Sequence, residues 1–360
     1  MMAAAYKRIV VKIGSNVLTQ LNGFPDLARI EHLVDQIVTL KKQGKTVVVI
    51  SSGAVASGRS MISISEKQDA VAARQLLASI GQIKLINTYL SLFERQQMLC
   101  SQVLVTKEDF RDRKHYLNIK SCLSILLKHQ VIPIVNENDV VSVTELMFTD
   151  NDELAGLVAS MLDADALVIL SNVDGIYNGD PKSHSSSVIR EIKRDNDTIS
   201  SFISTAKSGS GRGGMVTKLS MAQKVAKLGI PVHIANGTRE NVLTDLVAGN
   251  VVNTFFVPEK NTSGKKKWIA HSEDSATGVV KLNEGAAKAL ISGQARSLLP
   301  VGLLDISSDF KKGDIIRLVD EQEVLIGLGI AEYGSDKARE RIGQKGEKPL
   351  VHYNYFYAVR

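Results

Sequence analysis

Two lysines are the residues of this sequence whose positions best suit chemistry on a phosphate group. Lys12 closes an apolar run that is predicted to form a strand, and Lys218 opens a helical stretch beyond the Gly-rich loop 211–214. Phosphoryl transfer needs neutralisation of the phosphate charge and in-line positioning of both reactants. Glycines let backbone N–H groups approach a phosphate, and a helix N-terminus adds its positive end. The lysines are therefore predicted to clamp a transferring phosphoryl group.

Polar or Gly-rich clusters follow four of the predicted strands, and two more precede helices. Ligands in open α/β sheets gather at the carboxyl ends of the strands. Each cluster alone is more typical of a turn or a helix cap, but their convergence on one sheet edge favours a binding site. The clusters are 12–15 (KIGS), 51–54 (SSGA), 136–139 (NEND), 149–152 (TDND), 171–175 (SNVDG) and 211–218 (GRGGMVTK).

Three carboxylates within these clusters, Asp139, Asp150 and Asp152, could bind a substrate ammonium or orient the lysines. They lack the His or Cys neighbours of a zinc site. The sequence contains neither a Walker A motif nor a G-x-G-x-x-G fingerprint, which excludes a P-loop kinase and argues against a dinucleotide-dependent dehydrogenase.

The elements that must position these residues alternate along the first ~255 residues, where short β-branched runs are separated by helical patterns. This alternation predicts βαβ crossovers and a parallel sheet with helices on both faces. The predicted strands are 9–13, 46–50, 102–105, 131–135, 166–170 and 231–235, and the main helices begin at Asp26 or span about 70–96, 115–129, 152–162 and 217–228.

A polar stretch, 257–267, has the composition of a linker, and its Lys265–Lys267 run is expected to be solvated. Beyond Trp268, short apolar pieces separated by turns surround one short helix, 284–291, which indicates a small mixed-β or barrel-like domain. The predicted organisation is a first domain at 1–256, a linker at 257–267 and a second domain at 268–360.

The net charge of +6 is unevenly distributed. Residues 268–360 contain 12 Lys and Arg against 13 Asp and Glu, so the positive excess lies in the longer N-terminal part, where it suits an anionic substrate or nucleotide. The start of the chain lacks a signal-peptide pattern, and no uninterrupted apolar run approaches ~18 residues. With only two cysteines, the chain is predicted to be a cytoplasmic protein without a membrane segment.

Six of the motifs together resemble the glutamate 5-kinase family, in order and spacing, across nearly the whole chain. The most specific are 136–139 (NEND) and 213–218 (GGMVTK), and the others are 11–15 (VKIGS), 52–54 (SGA), 150–152 (DND) and 173–181 (VDGIYNGDP). The pieces 297–302 (SLLPVG) and 310–314 (FKKGD) look like the PUA domain that ends many bacterial members. The resemblance implies an α/β, three-layer amino-acid kinase fold with a mainly parallel sheet, followed by a small mixed-β PUA-like domain.

The resemblance also implies roles for individual residues. Lys12 and Lys218 would stabilise the phosphoryl group, and Asp152 would hold both lysines in place. The glutamate site would comprise Ser52, Asp139 and Asn151, with Asp150 close to the substrate ammonium. The nucleotide site would comprise Lys12, Ser171, Asn172, Arg212, Gly213, Gly214, Met215, Val216, Thr217 and Lys218. Asn172, Arg212 and Thr149 replace the residues usual in the family, and the first two belong to the nucleotide site.

The implied reaction transfers a phosphoryl group from ATP to the γ-carboxylate of L-glutamate, which gives γ-glutamyl phosphate, the first intermediate of proline synthesis. The substrate carboxylate is already ionised at pH 7, so no general base is required. Mg²⁺ would accompany ATP by bridging phosphate oxygens, and no protein metal ligand is assigned. The resemblance further implies inhibition by proline, assembly as a homodimer or homotetramer, and hand-over of the acyl phosphate to the next pathway enzyme.

Three alternatives stay open. Aspartokinase, acetylglutamate kinase, carbamate kinase and the uridylate kinases share the fold, but the NEND block and the C-terminal part favour the glutamate 5-kinases. An RNA-binding or RNA-modifying protein is a second alternative, because PUA domains often accompany such enzymes and the aromatic residues at 353–357 could stack on bases. The −1 charge balance of residues 268–360 weakens it, and these aromatics are expected to enter a final strand and its core. A catalytically inactive proline sensor is the third, although no essential residue is missing.

Overall fold

Residue contacts divide the chain into a first unit, Met1–Asn261, and a second unit, Thr262–Arg360. The computed structural model describes residues 6–64, 69–142, 151–180, 183, 185–193, 215–259, 263–292 and 296–359. All six strands predicted for the N-terminal part are present, with ends within two residues of those expected. The strands of the first unit are β1 (Arg8–Ile13), β2 (Thr46–Ser51), β3 (Cys100–Val105), β4 (Ile132–Glu137), β5 (Ala166–Ser171), β6 (Glu191–Ile192), β7 (Val232–Asn236) and β8 (Asn253–Phe256).

These strands form one eight-stranded sheet in the order β3-β4-β2-β1-β5-β7-β8-β6. All neighbouring strands are parallel except β7 and β8. Strand β1 lies at the centre, and its Lys12 aligns with Ile50 of β2 and Ile169 of β5. The carboxyl ends of β1, β2, β4 and β5 therefore meet at one edge, where the polar clusters were predicted to converge.

The helices of the first unit cover both faces of this sheet. The five helices predicted from apolar periodicity are present, whereas short helices at the turns were not predicted. The helices are α1 (Ser15–Leu18), α2 (Leu27–Lys42), α3 (Ala54–Arg59), α4 (Ala70–Arg95), α5 (Lys107–Arg111), α6 (Arg113–Lys128), α7 (Asn151–Met161), α8 (Met215–Lys227) and α9 (Val242–Ala248).

The pleat of β1 assigns its side chains to opposite faces of the sheet. Ile9, Val11 and Ile13 join the hydrophobic core that includes α2 and α4. Lys12 points to the other face, where it pairs with Asp152 of α7. The alternation along one strand thus separates the packing residues from a charged one.

Helix α4 is the single helix among the described residues that is long and apolar enough to cross a membrane by length and composition. Its Leu85, Tyr89 and Phe93 are buried in the core of the first unit. This face of α4 therefore belongs to the core of the first unit.

The second unit is built around a five-stranded sheet in the order β10-β9-β11-β12-β13. Strands β9 and β11 are parallel and the other pairs are antiparallel, so the sheet is mixed, as predicted. It has a hydrophobic core of its own. Its strands are β9 (Gly278–Leu282), β10 (Leu303–Ile306), β11 (Ile315–Val319), β12 (Leu325–Ile330) and β13 (Phe356–Ala358), and its helices are α10 (Gly264–Ala270), α11 (Glu284–Ile291) and α12 (Ser335–Glu340).

The C-terminal end of the expected linker, 257–267, is helical in the structure. Residues Gly264–Ala270 form helix α10, and the Lys267 side chain is buried, with 1% of its surface exposed. The Nζ atom of Lys265 lies 4.6 Å from the centroid of the Tyr355 ring. The expectation of a solvated lysine run is therefore wrong for Lys267, because the apolar partners of this helix are remote in sequence. Of the C-terminal aromatics, Phe356 is buried while Tyr353 is exposed.

Candidate active site

Lys12, Asp152 and Lys218 come together from three separate elements. One carboxylate oxygen of Asp152, Oδ1, lies 2.6 Å from Lys12 Nζ, and Oδ2 lies 2.9 Å from Lys218 Nζ. Asp152 is fully buried and Lys12 is 4% exposed. Strand β1 supplies Lys12, the first turn of α7 supplies Asp152, and the first turn of α8 supplies Lys218. The structure thus brings together the three residues for which catalytic roles were predicted.

The charges of this trio favour an ionised Asp152. Burial by itself raises the pKa of this carboxyl, but Lys12 and Lys218 outweigh that effect and hold the pKa below its ordinary value of 3.8. The trio of two ammonium groups and one carboxylate carries one positive charge in excess. In a buried site such a charge interacts strongly with an anion, so the arrangement suits the charge of a transferring phosphoryl group.

Asn151, directly before Asp152, links the carboxyl ends of two strands, β2 and β4. Its side-chain Nδ2 lies 2.9 Å from Ser51 O, 3.0 Å from Ser52 Oγ and 3.0 Å from Asn136 Oδ1. Asn136 in turn donates to Gln82 Oε1 of α4 at 2.9 Å. Ser52 and Asn151, both predicted for the glutamate site, are therefore in direct contact.

Gly53 explains how Ser52 reaches Asn151. Its φ of +102° lies in the left-handed region that favours glycine, and helix α3 begins at the next residue. The chain can therefore turn sharply from β2 into α3 while the Ser52 hydroxyl stays at the sheet edge. A side chain at this position would strain the turn.

Asp139, the third residue predicted for the glutamate site, is paired with a residue that the sequence did not indicate. Arg74 of α4 donates to Asp139 Oδ1 from Nε at 3.0 Å and from Nη2 at 2.6 Å. The same Nη2 lies 3.6 Å from Glu137 Oε2. A cavity of about 280 Å³ adjoins these acids, lined among others by Ala78, Gln82, Ile83, Leu104, Glu137 and Asp139.

At the end of β5, a second group of side chains joins two loops. Arg239 donates to Asp174 from Nε and Nη2 at 2.6 Å each, and Asn236 donates to the same carboxylate at 3.0 Å. The hydrogen bonds from Arg239 and Asn236 hold the pKa of Asp174 below its usual value. Ser171 is buried beside this group, and its carbonyl accepts from Gly237 N at 2.8 Å, whereas Asn172 is exposed.

Comparisons with known proteins show the family to which the chain belongs. The sequence model of the amino acid kinase family matches residues 7–236, and that of the PUA domain matches residues 278–353. The glutamate 5-kinase of Bacteroides thetaiotaomicron is 52% identical over 359 residues, covering 99% of each chain, and that of Chlorobaculum tepidum is 48% identical over 355 residues, covering 98% of each. The chain belongs to the amino acid kinase family.

The family match confirms the predicted fold class, the PUA domain and the prediction of a kinase. Among solved structures, a UMP kinase from Ureaplasma parvum matches with a TM-score of 0.48 and 18% identity, over 71% of this chain and 100% of that one.

Several residues predicted for the site of this amino acid kinase lie outside the described part of the chain, namely Asp150, Arg212, Gly213 and Gly214. Met215, Val216 and Thr217 lie in the first turn of α8, directly before Lys218. This placement keeps them beside one of the two lysines. Among the described residues, no three His, Cys, Asp or Glu side chains are grouped as a metal would require.

Sequence reasoning missed the two arginines of this amino acid kinase that hold acidic site residues, Arg74 and Arg239. Each is 65 residues away from its partner, Asp139 or Asp174. The cluster at 136–139 contains two acids without an adjacent cation, which indicates that a cation is needed. The sequence offers no sign of which arginine supplies it.

Proposed function

We propose that this chain transfers the γ-phosphoryl group of ATP to the γ-carboxylate of L-glutamate, as the first step of proline biosynthesis. The observation that carries the proposal is the buried Asp152 between Lys12 and Lys218, next to the contact of Asn151 with Ser52. The names of the curated relatives, glutamate 5-kinase in both cases above, support the choice of substrate.

In the proposed mechanism the two lysines act on the charge that moves during transfer. Lys12 and Lys218 bind the phosphoryl oxygens, and Asp152 keeps both ammonium groups in position before substrate arrives. The γ-carboxylate attacks in its ionised form, so no side chain has to remove a proton. Positioning and electrostatic stabilisation then supply most of the rate enhancement, as in other phosphoryl transfers.

The nucleotide is proposed to bind along Ser171, Asn172 and the segment Arg212–Lys218, and glutamate at Ser52, Asp139, Asn151 and Asp150. Mg²⁺ is proposed to arrive with ATP. Asp152 is a poor ligand for it, because both carboxylate oxygens already face ammonium groups at 2.6 and 2.9 Å. No protein ligand is therefore assigned to the metal.

Further parts of the proposal concern regulation and setting. Proline is proposed to inhibit the reaction, and the chain to assemble as a homodimer or homotetramer. The acyl phosphate is a reactive product, which favours its hand-over to the next enzyme of the pathway. A cytoplasmic location is consistent with the cysteines, since Cys100 and Cys122 are both free thiols.

A trapping assay tests the reaction. The protein is incubated with ATP, Mg²⁺, hydroxylamine and one amino acid at a time, because an acyl phosphate is captured as a hydroxamate. Glutamate should give hydroxamate while aspartate and N-acetylglutamate give none, and the Lys12→Ala variant, expected to be strongly impaired, serves as the control. Hydroxamate from aspartate or acetylglutamate instead of glutamate would assign the chain to another branch of the family.

The residues proposed to bind the substrate glutamate can be tested separately. Asp139→Asn and Asn151→Ala should each raise KM for glutamate at least about tenfold, because contacts made in the ground state are lost. KM for ATP should change less than about twofold. If ATP binding weakens instead, the two sites have been exchanged.

A further inference from the structure

Arg74 is a partly exposed cation among buried acids at the carboxyl end of β4. Its side chain is 31% exposed, against 10% for Asp139 and 5% for Glu137. The guanidinium approaches Asp139 through Nε and Nη2 and reaches Glu137 at 3.6 Å. Part of this guanidinium therefore remains accessible to a ligand.

The position of Arg74 is fixed by the way α4 binds the same loop. Asp69 caps the helix by accepting from Val71 N and Ala72 N, both at 3.0 Å. One residue beyond Arg74, Gln75 donates to Val140 O at 2.8 Å. Two turns later, Gln82 accepts from Asn136. The first turns of α4 and residues 136–140 thus form one hydrogen-bonded unit, which holds the guanidinium beside Asp139.

The chemistry of an α-amino acid raises a charge requirement at this place. Its head group is a zwitterion, so the ammonium needs an anion and the α-carboxylate needs a cation. Asp139 and Glu137 supply the anions. Lys12 and Lys218 both contact Asp152 and are assigned to the phosphoryl group, whereas Arg74 lies among the acids of the head-group end.

We propose that Arg74 determines substrate specificity by binding the α-carboxylate, while Asp139 binds the ammonium. This proposal rests on the proposed function, since it concerns the substrate named there. The Arg74–Asp139 pair complements a zwitterion, and a guanidinium can bind a carboxylate through two parallel hydrogen bonds. A purely positioning role, in which Arg74 only orients Asp139, is the competing explanation.

Glutamate analogues separate the two roles. The ligands are L-glutamate, 4-aminobutanoate, which lacks the α-carboxylate, and glutarate, which lacks the ammonium. KM is measured for each ligand that is phosphorylated, and a competitive inhibition constant for each that is not. The variants are Arg74→Met and Arg74→Lys, and the matched control is Arg95→Met, on the same helix, which removes a surface pair with Glu31.

If Arg74 binds the α-carboxylate, Arg74→Met should weaken the binding of glutamate about 30-fold or more. The binding of 4-aminobutanoate should weaken less than about threefold, because this ligand has no α-carboxylate for Arg74 to bind. The binding of glutarate should weaken about as much as the binding of glutamate. Arg74→Lys should restore part of the loss, since it keeps the charge without the planar fork. The control should resemble the unaltered protein with every ligand.

Equal weakening of glutamate and 4-aminobutanoate would overturn the proposal and leave Arg74 as a positioning residue, and an unchanged KM for glutamate in Arg74→Met would overturn it as well. Failure of the proposed function is distinguishable, because the unaltered protein would then give no hydroxamate from glutamate. In that case calorimetric titration with the same three ligands, in the presence of the nonhydrolysable nucleotide AMP-PNP, measures how much Arg74→Met weakens the binding of glutamate relative to that of 4-aminobutanoate.

Discussion

Asp152 is a buried carboxylate held between two ammonium groups, an arrangement that costs desolvation energy. Replacing a buried ion pair by apolar residues is often neutral or stabilising, whereas removing a single partner is strongly destabilising. The burial of Asp152 and Lys12 is consistent with the role proposed for them, in which the preorganised charges need little rearrangement when a phosphoryl group arrives.

The two lysines are expected to act as one unit. Lys12→Ala and Lys218→Ala should each lower kcat about 100-fold, in line with the loss of one electrostatic contact to a transition state. The double variant should be little slower than the slower single variant, because groups that act together are not additive. Lys193→Ala, at an exposed ion pair with Glu191, is the control and should leave kcat unchanged. Losses that multiply fully in the double variant would contradict a shared clamp.

The lowered pKa of Asp152 predicts how stability depends on pH. Because the folded-state pKa lies below its ordinary 3.8, the carboxylate stabilises the fold at every pH above that value, and this contribution is lost as the pH falls through the folded-state pKa. Asp152→Asn should lower the free energy of unfolding by about 3 kcal/mol between pH 5.5 and 8.

Urea unfolding measured from pH 3 to 8 checks this prediction. The difference in the free energy of unfolding between Asp152→Asn and the unaltered protein should be constant above pH 5.5 and should become smaller below pH 4. Glu31→Gln, at a surface pair with Arg95, is the control and should cost less than about 0.5 kcal/mol. A difference that grows on acidification would mean that the pKa of Asp152 is raised.

At the scale of elements, helices α3 and α4 meet through their backbones. A Cβ at Gly81 would lie 1.9 Å from Ala54 O, and one at Gly58 would lie 2.0 Å from Leu77 O. Both distances are impossible for unmoved atoms, so glycine is required at each. This contact fixes α3, which begins two residues after Ser52, relative to α4, which supplies Arg74 and Gln82.

Gly81→Ala should therefore lower the free energy of unfolding by about 3 kcal/mol, the upper part of the range for overpacking, because rigid backbone has to move. Gly156→Ala is the matched variant, since its Cβ would meet side-chain atoms and not backbone, namely the Met221 sulfur at 2.3 Å and Val225 Cγ2 at 3.0 Å. It should cost about 1 kcal/mol or less, because methionine adapts easily. Equal costs in chemical denaturation would mean that the contact between α3 and α4 is no more rigid than the packing of side chains around Gly156.

At the scale of the whole molecule, each of the two units has its own hydrophobic core. Every residue assigned to the reaction, from Lys12 to Lys218, belongs to the first unit. An α/β unit of this size is large enough to fold independently. The second unit is therefore proposed to be dispensable for chemistry.

A chain truncated after Lys260 should fold and phosphorylate glutamate with kcat within about tenfold of the intact chain, a difference of roughly 1.4 kcal/mol in the barrier. The hydroxamate assay measures activity, and light scattering measures assembly, which is where a difference is expected. A truncated protein that is folded and assembled but inactive would show that residues beyond 260 contribute to the active site.

The sequence by itself determined the elements and the residues at their ends. Continuous β-branched runs such as Thr46–Ser51 leave few choices besides a covered strand, and 3.6-residue periodicity identified α2 and α4. Lys12 and Asp152 were expected near one another because the carboxyl ends of parallel strands meet at one edge of a sheet, whereas the role of Asn151 was implied only by the resemblance to the glutamate 5-kinases.

Only the tertiary structure decided the partners of these residues. The pairing of Asp139 with Arg74, the close approach of Gly81 to Ala54 and the burial of Lys267 each join segments that are remote in the chain. Local sequence fixes which surface of a helix is apolar, but not which loop that helix packs against. Those contacts depend on how several elements fill a common volume, so they could not be predicted from the residues on either side.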